Sequence, residues 1–391
     1  MGVEAPGTCP AGDITIPNAG GLCAAPTFAF TPSFGNDTFT VAQNIRTPYI
    51  SNYNLNVEHQ FNDHVAFQVG YVGSTGRKLF HYIDENQCNV TLLNAGLPCH
   101  PFPSAPGFGY VLQFQSSATS QYHSLQTVLN LRNFHRLTST VNYTFAHSID
   151  TASDGQDFVP NASQPDNSYN QRGERASSNF DQRQRFTWNF NYELPNAQTA
   201  KWITNGWEFD GATTVASGQP YNVSYIDNFA QDFSGTGEFY GRPDIVGNPF
   251  AGTGGLNILN LAAFKVPCNF DPASGGCNAT TPGQHVGSLG RNAFAGPNLR
   301  DVDFSLVKNT HIGERMNVQF RADIFNIFNH PNFSNPLLPN FLVDMTQNGI
   351  DATGHGIGFL QPTATGDVGI GEPFLGGGGP RDIQLALKFS F

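Results

Sequence analysis

Charged residues are scarce in this sequence, and long apolar runs are missing from it. Asp, Glu, Lys and Arg make up 13% of the 391 residues, about half the share that ordinary soluble domains carry. No stretch of about 18 apolar residues free of Pro and Gly occurs, and a helix needs that length to cross a bilayer. The sequence therefore excludes a membrane-spanning helix, and any membrane crossing must be made by strands.

Basic residues are also few, with 19 Lys and Arg against 30 Asp and Glu and a net charge of -11. This balance repels a polyphosphate backbone, so we expect no nucleic-acid partner. The motifs of common enzymes are missing as well, because the sequence contains neither a His-Glu-x-x-His pair nor a Gly-x-Ser-x-Gly elbow. We therefore predict that the protein is not an enzyme and holds no cofactor and no metal ion.

The six cysteines fall into three local pairs, each within a stretch rich in Gly, Pro and Asn: Cys9 with Cys23, Cys88 with Cys99, and Cys268 with Cys277. This spacing predicts disulfides that close loops. A zinc site would need Cys-x-x-Cys spacing or clustered histidines, and metal binding or free thiols remain the alternatives. Disulfides place the protein outside the reducing cytosol.

Alternation of apolar and polar residues is the dominant pattern. In residues 186–193, FTWNFNYE, the aromatic side chains share one face and the polar ones share the other, as in a β-strand. The strands are close to the roughly 9 to 11 residues that a tilted strand needs to cross a membrane, whereas strands of soluble sandwiches average about 5 or 6. The pattern predicts nine strands, at 52–61, 65–71, 124–132, 137–145, 186–193, 207–217, 299–308, 315–326 and 382–391.

Short and long connections alternate between these strands. Bacterial β-barrels have short periplasmic turns and long extracellular loops. Soluble domains seldom contain structureless loops above about 15 residues. We therefore predict an all-β, antiparallel transmembrane β-barrel portion of about 9–12 long strands, with Phe391 on the periplasmic side and all six cysteines on the extracellular side. The short connections are 62–63, 133–136, 195–205 and 309–314, and the long ones are 74–121, 148–183, 218–298 and 327–381.

The strand count predicts an incomplete barrel. Nine strands start the chain outside the cell, whereas a complete barrel has an even count and both termini in the periplasm. The N-terminus also lacks the basic start and apolar core of a signal peptide. We expect residues 1–50 to be an extracellular loop segment with a cysteine pair, cut from a preceding barrel, and residues 51–391 to be C-terminal barrel strands. A further strand around 38–45 would restore an even count.

Several long segments, in order, resemble the C-terminal barrel portion of Oar-like TonB-dependent receptors. They begin near residue 46 and include RTPYISNYNLNVEHQF, VAFQVGYVGSTGRKL, YHSLQTVLNLR, LTSTVNYTFAHSID, NFDQRQRFTWNFNYELP, GWEFDGATTVASGQPY, FRADIFNIFNHPNF and GGPRDIQLALKFSF. The resemblance implies a barrel of about twenty-two strands around an N-terminal plug, preceded by a TonB-contacting box. Neither plug nor box is visible in this sequence, so the resemblance implies that energised transport belongs to a larger parent protein.

Two groups of residues are candidate contact sites. Leu387, Phe389 and Phe391 lie on one face of the last strand and resemble the C-terminal signal that the barrel-assembly machinery reads by strand pairing. A lipid-facing strand end is the alternative. The densest basic group is a candidate contact for an anionic ligand or lipopolysaccharide, with solvated or lumen-paired arginines as the alternative. Its members are Arg172, Arg175, Arg183 and Arg185.

The sequence as a whole predicts a transporter barrel of the bacterial outer membrane. Its extracellular loops would bind a scarce solute, and energised uptake would take place in the intact protein. The expected partners are outer-membrane lipid and lipopolysaccharide, the barrel-assembly machinery, and TonB through N-terminal parts only. A passive or structural outer-membrane barrel is the first alternative, and a secreted β-sandwich that binds carbohydrate is the second.

Overall fold

The computed structural model describes residues 36–102, 108–153, 165–226, 232–237, 240–313, 316–334, 343–362 and 379–391. Its strands are numbered here in chain order. Nine of them are long and form one sheet: β2 Tyr49–Asn62, β3 Val65–Asp84, β4 Phe108–Phe134, β5 Leu137–Asp150, β7 Gln184–Glu193, β8 Trp207–Ala216, β18 Leu299–Ile312, β19 Met316–Phe325 and β22 Asp382–Ser390.

The remaining elements of the described residues are short. Two α-helices, α1 Val90–Asn94 and α2 Lys201–Thr204, and two 3-10 turns, Gln171–Glu174 and Leu261–Ala263, contain no segment long and apolar enough to cross a membrane as a helix. The short strands are β1 Asn36–Val41, β6 Ala176–Ser177, β9 Pro220–Tyr221, β10 Val223–Ile226, β11 Tyr240–Gly241, β12 Asp244–Ile245, β13 Leu259–Asn260, β14 Phe264–Lys265, β15 Phe270–Asp271, β16 Gly276–Cys277, β17 Phe294–Ala295, β20 Val343–Asp344 and β21 Phe359–Leu360.

The nine predicted strands are confirmed, and each long strand pairs with its neighbours in chain order. The order is β2-β3-β4-β5-β7-β8-β18-β19-β22, and all of these pairings are antiparallel. The short turns gather at one end of the sheet and the long connections at the other, here called the short-turn end and the long-loop end. Within the described residues β2 pairs only with β3 and β22 only with β19, so the sheet is not closed into a barrel.

The register keeps one face of the sheet apolar across all nine strands. Tyr71 lies opposite Leu55 on one side and Leu125 on the other, and Leu125 in turn lies opposite Phe145. Side chains at paired positions share a face. These apolar side chains are open to the surroundings, with Leu55 69% exposed. An apolar face of this extent needs a covering other than water.

The hairpin of β3 and β4 is longer than the sequence predicts. These strands have 20 and 27 residues and remain paired up to Asp84 and Leu112. The expected loop 74–121 was therefore wrong over much of its length. At the long-loop end consecutive residues such as Ile83 and Asp84 are both buried, so no strict alternation is needed there and the pattern is hidden.

A strand is present near the suggested residues 38–45, but its pairing differs from that of the nine long strands. β1 runs parallel to β4, with Val41 opposite Phe114, at the long-loop end. It uses the edge of β4 that β5 leaves open, because the pairing of β5 with β4 ends at Asp150 and Ser120. An unpaired edge is a site for a further strand. β1 therefore adds no antiparallel crossing strand, and the idea that it restores an even count was wrong.

The long connections also fold instead of remaining structureless. Segments from four of them pack together at the long-loop end, and we call this assembly the cap (described residues of 85–102, 165–181, 217–298 and 343–362). Its apolar core includes Tyr221, Val223, Phe264 and Met345, which are almost fully buried. Most of its strands are only two residues long, too short to show periodicity in the sequence.

A candidate ligand-binding cap

Strand pairing between distant segments holds the cap together. β10 pairs with β20 and β13 pairs with β21, which joins the connection after β8 to the connection after β19. β9 pairs with β17 within the former connection. Each pairing is only two residues long, and an isolated two-stranded ribbon is not stable by itself. The packed apolar core of the cap therefore stabilises these short strand pairs.

Two of the three predicted disulfides are present. The bonded residues are Cys88 with Cys99, with Cα atoms 4.8 Å apart, and Cys268 with Cys277, with Cα atoms 5.8 Å apart. Both separations lie within the range that a disulfide spans. Both bridges belong to the cap, on the same side of the sheet. The pair Cys9 and Cys23 lies outside the described residues.

A buried cluster of one arginine and two carboxylates crosses the cap. Arg242 donates to both carboxylate oxygens of Glu174, at 2.9 and 2.6 Å, and lies 3.6 Å from Asp166 Oδ2. One guanidinium thus faces two carboxylates. Burial raises the pKa of Asp166 to about 6, although the positive charge of Arg242 opposes this and the charge of Glu174 adds to it.

A second buried arginine fastens the cap to the sheet. Arg291 donates to the main-chain oxygen of Asp150 at 2.9 Å and pairs with the Asp150 carboxylate at the end of β5. It also donates to the main-chain oxygen of Glu174 and to Ser153 Oγ. Because the arginine and the carboxylate are both almost fully buried, removing either one would leave a charge without its partner.

A cleft of about 280 Å³ opens among three segments of the cap. It lies beside α1, whose N-terminus is capped by the Asn89 side chain, and beside Tyr169, whose hydroxyl donates to the main-chain oxygen of Gln87. None of the described residues that line it is an Asp, Glu, Lys or Arg. They are Gln87, Cys88, Asn89, Val90, Thr91, Asn94, Asn167, Tyr169, Thr236, Gln284, His285 and Val286. Sequence reasoning missed this cleft, because its amides and hydroxyls come from four separate stretches without a motif.

The sequence profile of the outer membrane beta barrel domain family matches residues 6–364. The chain belongs to this family. Its location is therefore the outer membrane, and the secreted β-sandwich alternative was wrong. No curated protein matches the sequence. Among solved structures, the chain is similar to the outer membrane transporter YddB from Escherichia coli, with a TM-score of 0.41 and 10% identity over 83% of this chain and 33% of that one. It thus spans about a third of that protein's length.

Because the chain belongs to an outer-membrane barrel family, the two ends and the two faces of the sheet can be assigned to their surroundings. The short-turn end is periplasmic and the long-loop end is extracellular, as in other bacterial barrels. The apolar face contacts lipid, and the opposite face, which includes Asn56, Gln126 and Thr144, is luminal. The cap and both disulfides therefore lie outside the cell.

The four predicted arginines do not form one site. Arg183 donates to His147 Nε2 at 2.7 Å and to Asp181 Oδ2 at 2.9 Å, and Arg175 donates to Gln121 Oε1 at 2.9 Å. Arg185 lies at a luminal register position opposite Thr144, and Arg172 is exposed in a 3-10 turn of the cap. The structure thus brings Arg175 and Arg183 to the same end of β4 and β5 and places the other two elsewhere.

The last strand presents its apolar residues to lipid. Leu387 lies opposite Phe320 and Phe389 opposite Val318, while the side chain of Phe391 is 94% exposed. Within the described residues the other edge of β22 pairs with no strand. Recognition of this strand by the barrel-assembly machinery stays a prediction, to which an open edge with exposed apolar side chains is well suited.

Proposed function

We propose that this chain is part of a TonB-dependent transporter whose cap captures a scarce solute from outside the cell. The solute would pass along the polar luminal face, and TonB would act through N-terminal parts of the intact protein. The observation that carries the proposal is the cleft, which lies in a cap held by a disulfide and by buried arginines. A preformed cleft binds a dilute solute with less loss of conformational entropy than mobile loops would.

The lining of the cleft supports a neutral, polar solute. Amides and hydroxyls both donate and accept hydrogen bonds, and none of the described lining residues is an Asp, Glu, Lys or Arg that would pair with a charged ligand. Thr91 and Asn94 are exposed at the cleft and therefore accessible. A volume of about 280 Å³ is near the lower end of known ligand sites. A short oligosaccharide has the size and chemistry that fit.

Uptake by cells that produce the intact protein tests this proposal. We expect labelled neutral oligosaccharides to accumulate, and we expect an uncoupler of the proton-motive force to abolish the accumulation, because TonB-driven uptake needs that force. The substitutions Thr91→Val and Asn94→Leu together should reduce uptake at low solute concentration. Asn348→Ala, an exposed cap residue outside the cleft, is the matched control.

The results separate the proposal from its alternative. Uptake that persists in the presence of the uncoupler would indicate a passive barrel. Uptake that is unaffected by the cleft substitutions would show that the cleft does not bind the solute. No difference in uptake between producing and non-producing cells would count against a transport role for this protein.

A further inference from the structure

The lipid-facing side of the sheet contains no acidic residue in any of the nine described strands. The paired positions that share the face of Tyr71 and Leu125 carry glycine or apolar, uncharged polar, histidine, arginine and lysine side chains only. The luminal face, in contrast, carries acids such as Asp210 and Asp303. A chain with a net charge of -11 thus keeps its negative charge away from the lipid side.

Basic side chains gather on this face at its extracellular end. His123 and His147 are paired neighbours there, and the Arg183 guanidinium contacts the His147 ring. Arg175 comes two residues before Ser177, which lies opposite Ile149 on the same face. The Arg175 guanidinium donates to the side chain of Gln121, which also lies on this face. We call Arg175, Arg183, His123 and His147 the rim cluster.

A groove of about 230 Å³ extends the rim cluster along the outer surface. Its walls include Tyr143, Phe186 and Val215 from the lipid-facing side of three strands, with Gln184 and Arg300 at its polar edge. Gln184 follows Arg183 in the chain, so the groove begins one residue from the cluster. The Arg300 side chain makes no ion pair or hydrogen bond with any other described residue.

Apolar side chains lie on the same face as the basic ones, two residues closer to the membrane along each strand. Leu125 and Phe145 are paired neighbours, 44% and 48% exposed, and each lies two residues from His123 or His147 toward the membrane. Lipid acyl chains contact such residues, and the phosphates of the same lipids lie at the adjacent headgroup level. Among the residues that the structure describes, Asp181 is the acid that contacts the rim cluster. It is buried and pairs with Arg183, which leaves the cluster and Arg300 with excess positive charge.

We propose that Arg175, Arg183 and Arg300 bind the phosphates of a lipopolysaccharide molecule in the outer leaflet. Arginine pairs with phosphate through two parallel hydrogen bonds, which favours it over other cations at such a site. The aromatic walls of the groove contact the acyl chains next to the phosphates. The proposal does not depend on the solute or on TonB. It also redefines the basic group found in the sequence, since it excludes Arg172 and Arg185 and includes Arg300.

The test measures lipopolysaccharide bound to the intact protein purified from outer membranes in mild detergent. We expect the variant with Arg175→Gln, Arg183→Gln and Arg300→Gln to bind fluorescent lipopolysaccharide at least about tenfold more weakly, since one charge-assisted hydrogen bond accounts for about that factor. Arg185→Gln, close in sequence but on the luminal face, should bind as the wild type does. Phosphatase-treated lipopolysaccharide should bind the wild type weakly.

Several outcomes would overturn the proposal. Equal binding by the triple variant, or equal binding of the phosphatase-treated lipid, would show that the arginines do not recognise lipid phosphate. Displacement of the lipid by inorganic phosphate alone would indicate a site for the free anion. If the triple variant fails to assemble, Arg300→Gln alone provides the test, because that side chain has no bonded partner among the described residues to lose. Unchanged binding by this single variant would then contradict the proposal.

Discussion

Arg242 and Glu174 form a bidentate ion pair inside the cap, with nitrogen-oxygen distances of 2.9 and 2.6 Å. The two residues are 68 positions apart in the chain and belong to different extracellular connections. Their planar groups match, so the pair fixes orientation as well as distance. It joins the segment before β7 to the segment after β8, and it lies within the assembly that also forms the cleft.

Replacing Arg242 with Met should loosen the cap selectively. The change leaves the buried carboxylate of Glu174 without a cation, and such a loss costs about 3–5 kcal/mol. We expect faster hydrogen exchange in peptides covering residues 221–226 and 259–266, while peptides from β4 and β5 keep their protection. Arg172→Met, at an exposed arginine, is the control. Unchanged exchange in the cap would show that the ion pair does not hold it.

The variant Asp166→Asn should alter how cap stability depends on pH. Burial raises the pKa of Asp166 from 3.8 to about 6, so between these values the folded cap binds a proton that the unfolded chain releases. The contribution of this group therefore stabilises the cap most at low pH, and it is lost as the pH rises to about 6. A pKa difference of about two units corresponds to roughly 3 kcal/mol.

Hydrogen exchange of the cap at several pH values checks this prediction. Between about pH 4 and pH 6, cap amides of the wild type should lose protection against exchange relative to those of Asp166→Asn. Above that range, protection should change with pH equally in the two proteins. The comparison cancels the titration of Glu174 and other carboxyls, which both proteins share. If the two proteins respond identically throughout, Asp166 does not titrate as its surroundings indicate.

Breaking the Cys268–Cys277 bridge should destabilise the cap core. Cys268 is part of that core, and the bridge closes a short hairpin formed by β15 and β16. Closing a loop of about ten residues contributes about 2–3 kcal/mol by the chain-entropy model. The double variant Cys268→Ser, Cys277→Ser should therefore be cut faster by trypsin within the cap than the wild type is.

Removal of the other bridge is the matched comparison. The double variant Cys88→Ser, Cys99→Ser should disturb α1 and the cleft, because Cys88 lines the cleft, and it should leave the β15–β16 hairpin intact. Mass spectrometry without reducing agent should find both bridges in the wild type, and also the predicted pair Cys9 and Cys23. Free thiols at these positions would contradict the disulfide assignment.

The edge strands β2 and β22 should not close a barrel by pairing with each other. Both run from the long-loop end to the short-turn end, since seven alternating strands lie between them, whereas neighbouring strands of bacterial barrels are antiparallel. Unpaired strand edges are not tolerated in hydrocarbon. We expect the 391-residue chain refolded alone in lipid vesicles to show neither a heat-modifiable band nor stable conductance. A stable channel would show that it closes by itself.

Much of the sheet could be predicted because the membrane imposes a strict pattern. In residues 186–193, each side chain must suit either lipid or the polar lumen, and the alternation FTWNFNYE records this choice. The positions of the nine strands and of the extracellular loops follow from the same rule. Two local cysteine pairs were also predictable, because a short separation in sequence brings their Cα atoms within bridging distance.

Outside the membrane no alternation of apolar and polar residues is imposed, so the fold of the cap and the pairing of β1 could not be predicted from the sequence. The cap core joins residues such as Tyr221 and Met345, which are far apart in the chain and lie in or beside strands of a few residues. No periodicity develops over so short a length. β1 was suggested as a strand, but its parallel pairing depends on where β5 ends, which no local pattern shows.

The sequence by itself determined which residues cross the membrane, the face that each of them presents, and which loops lie outside the cell. These properties follow from local alternation and from spacing along the chain. The tertiary structure alone decided that Arg183 contacts His147 and that Arg242 pairs with Glu174. Such contacts join distant segments, and they depend on how loops fold back over the sheet, because charge and burial act through space and not along the chain.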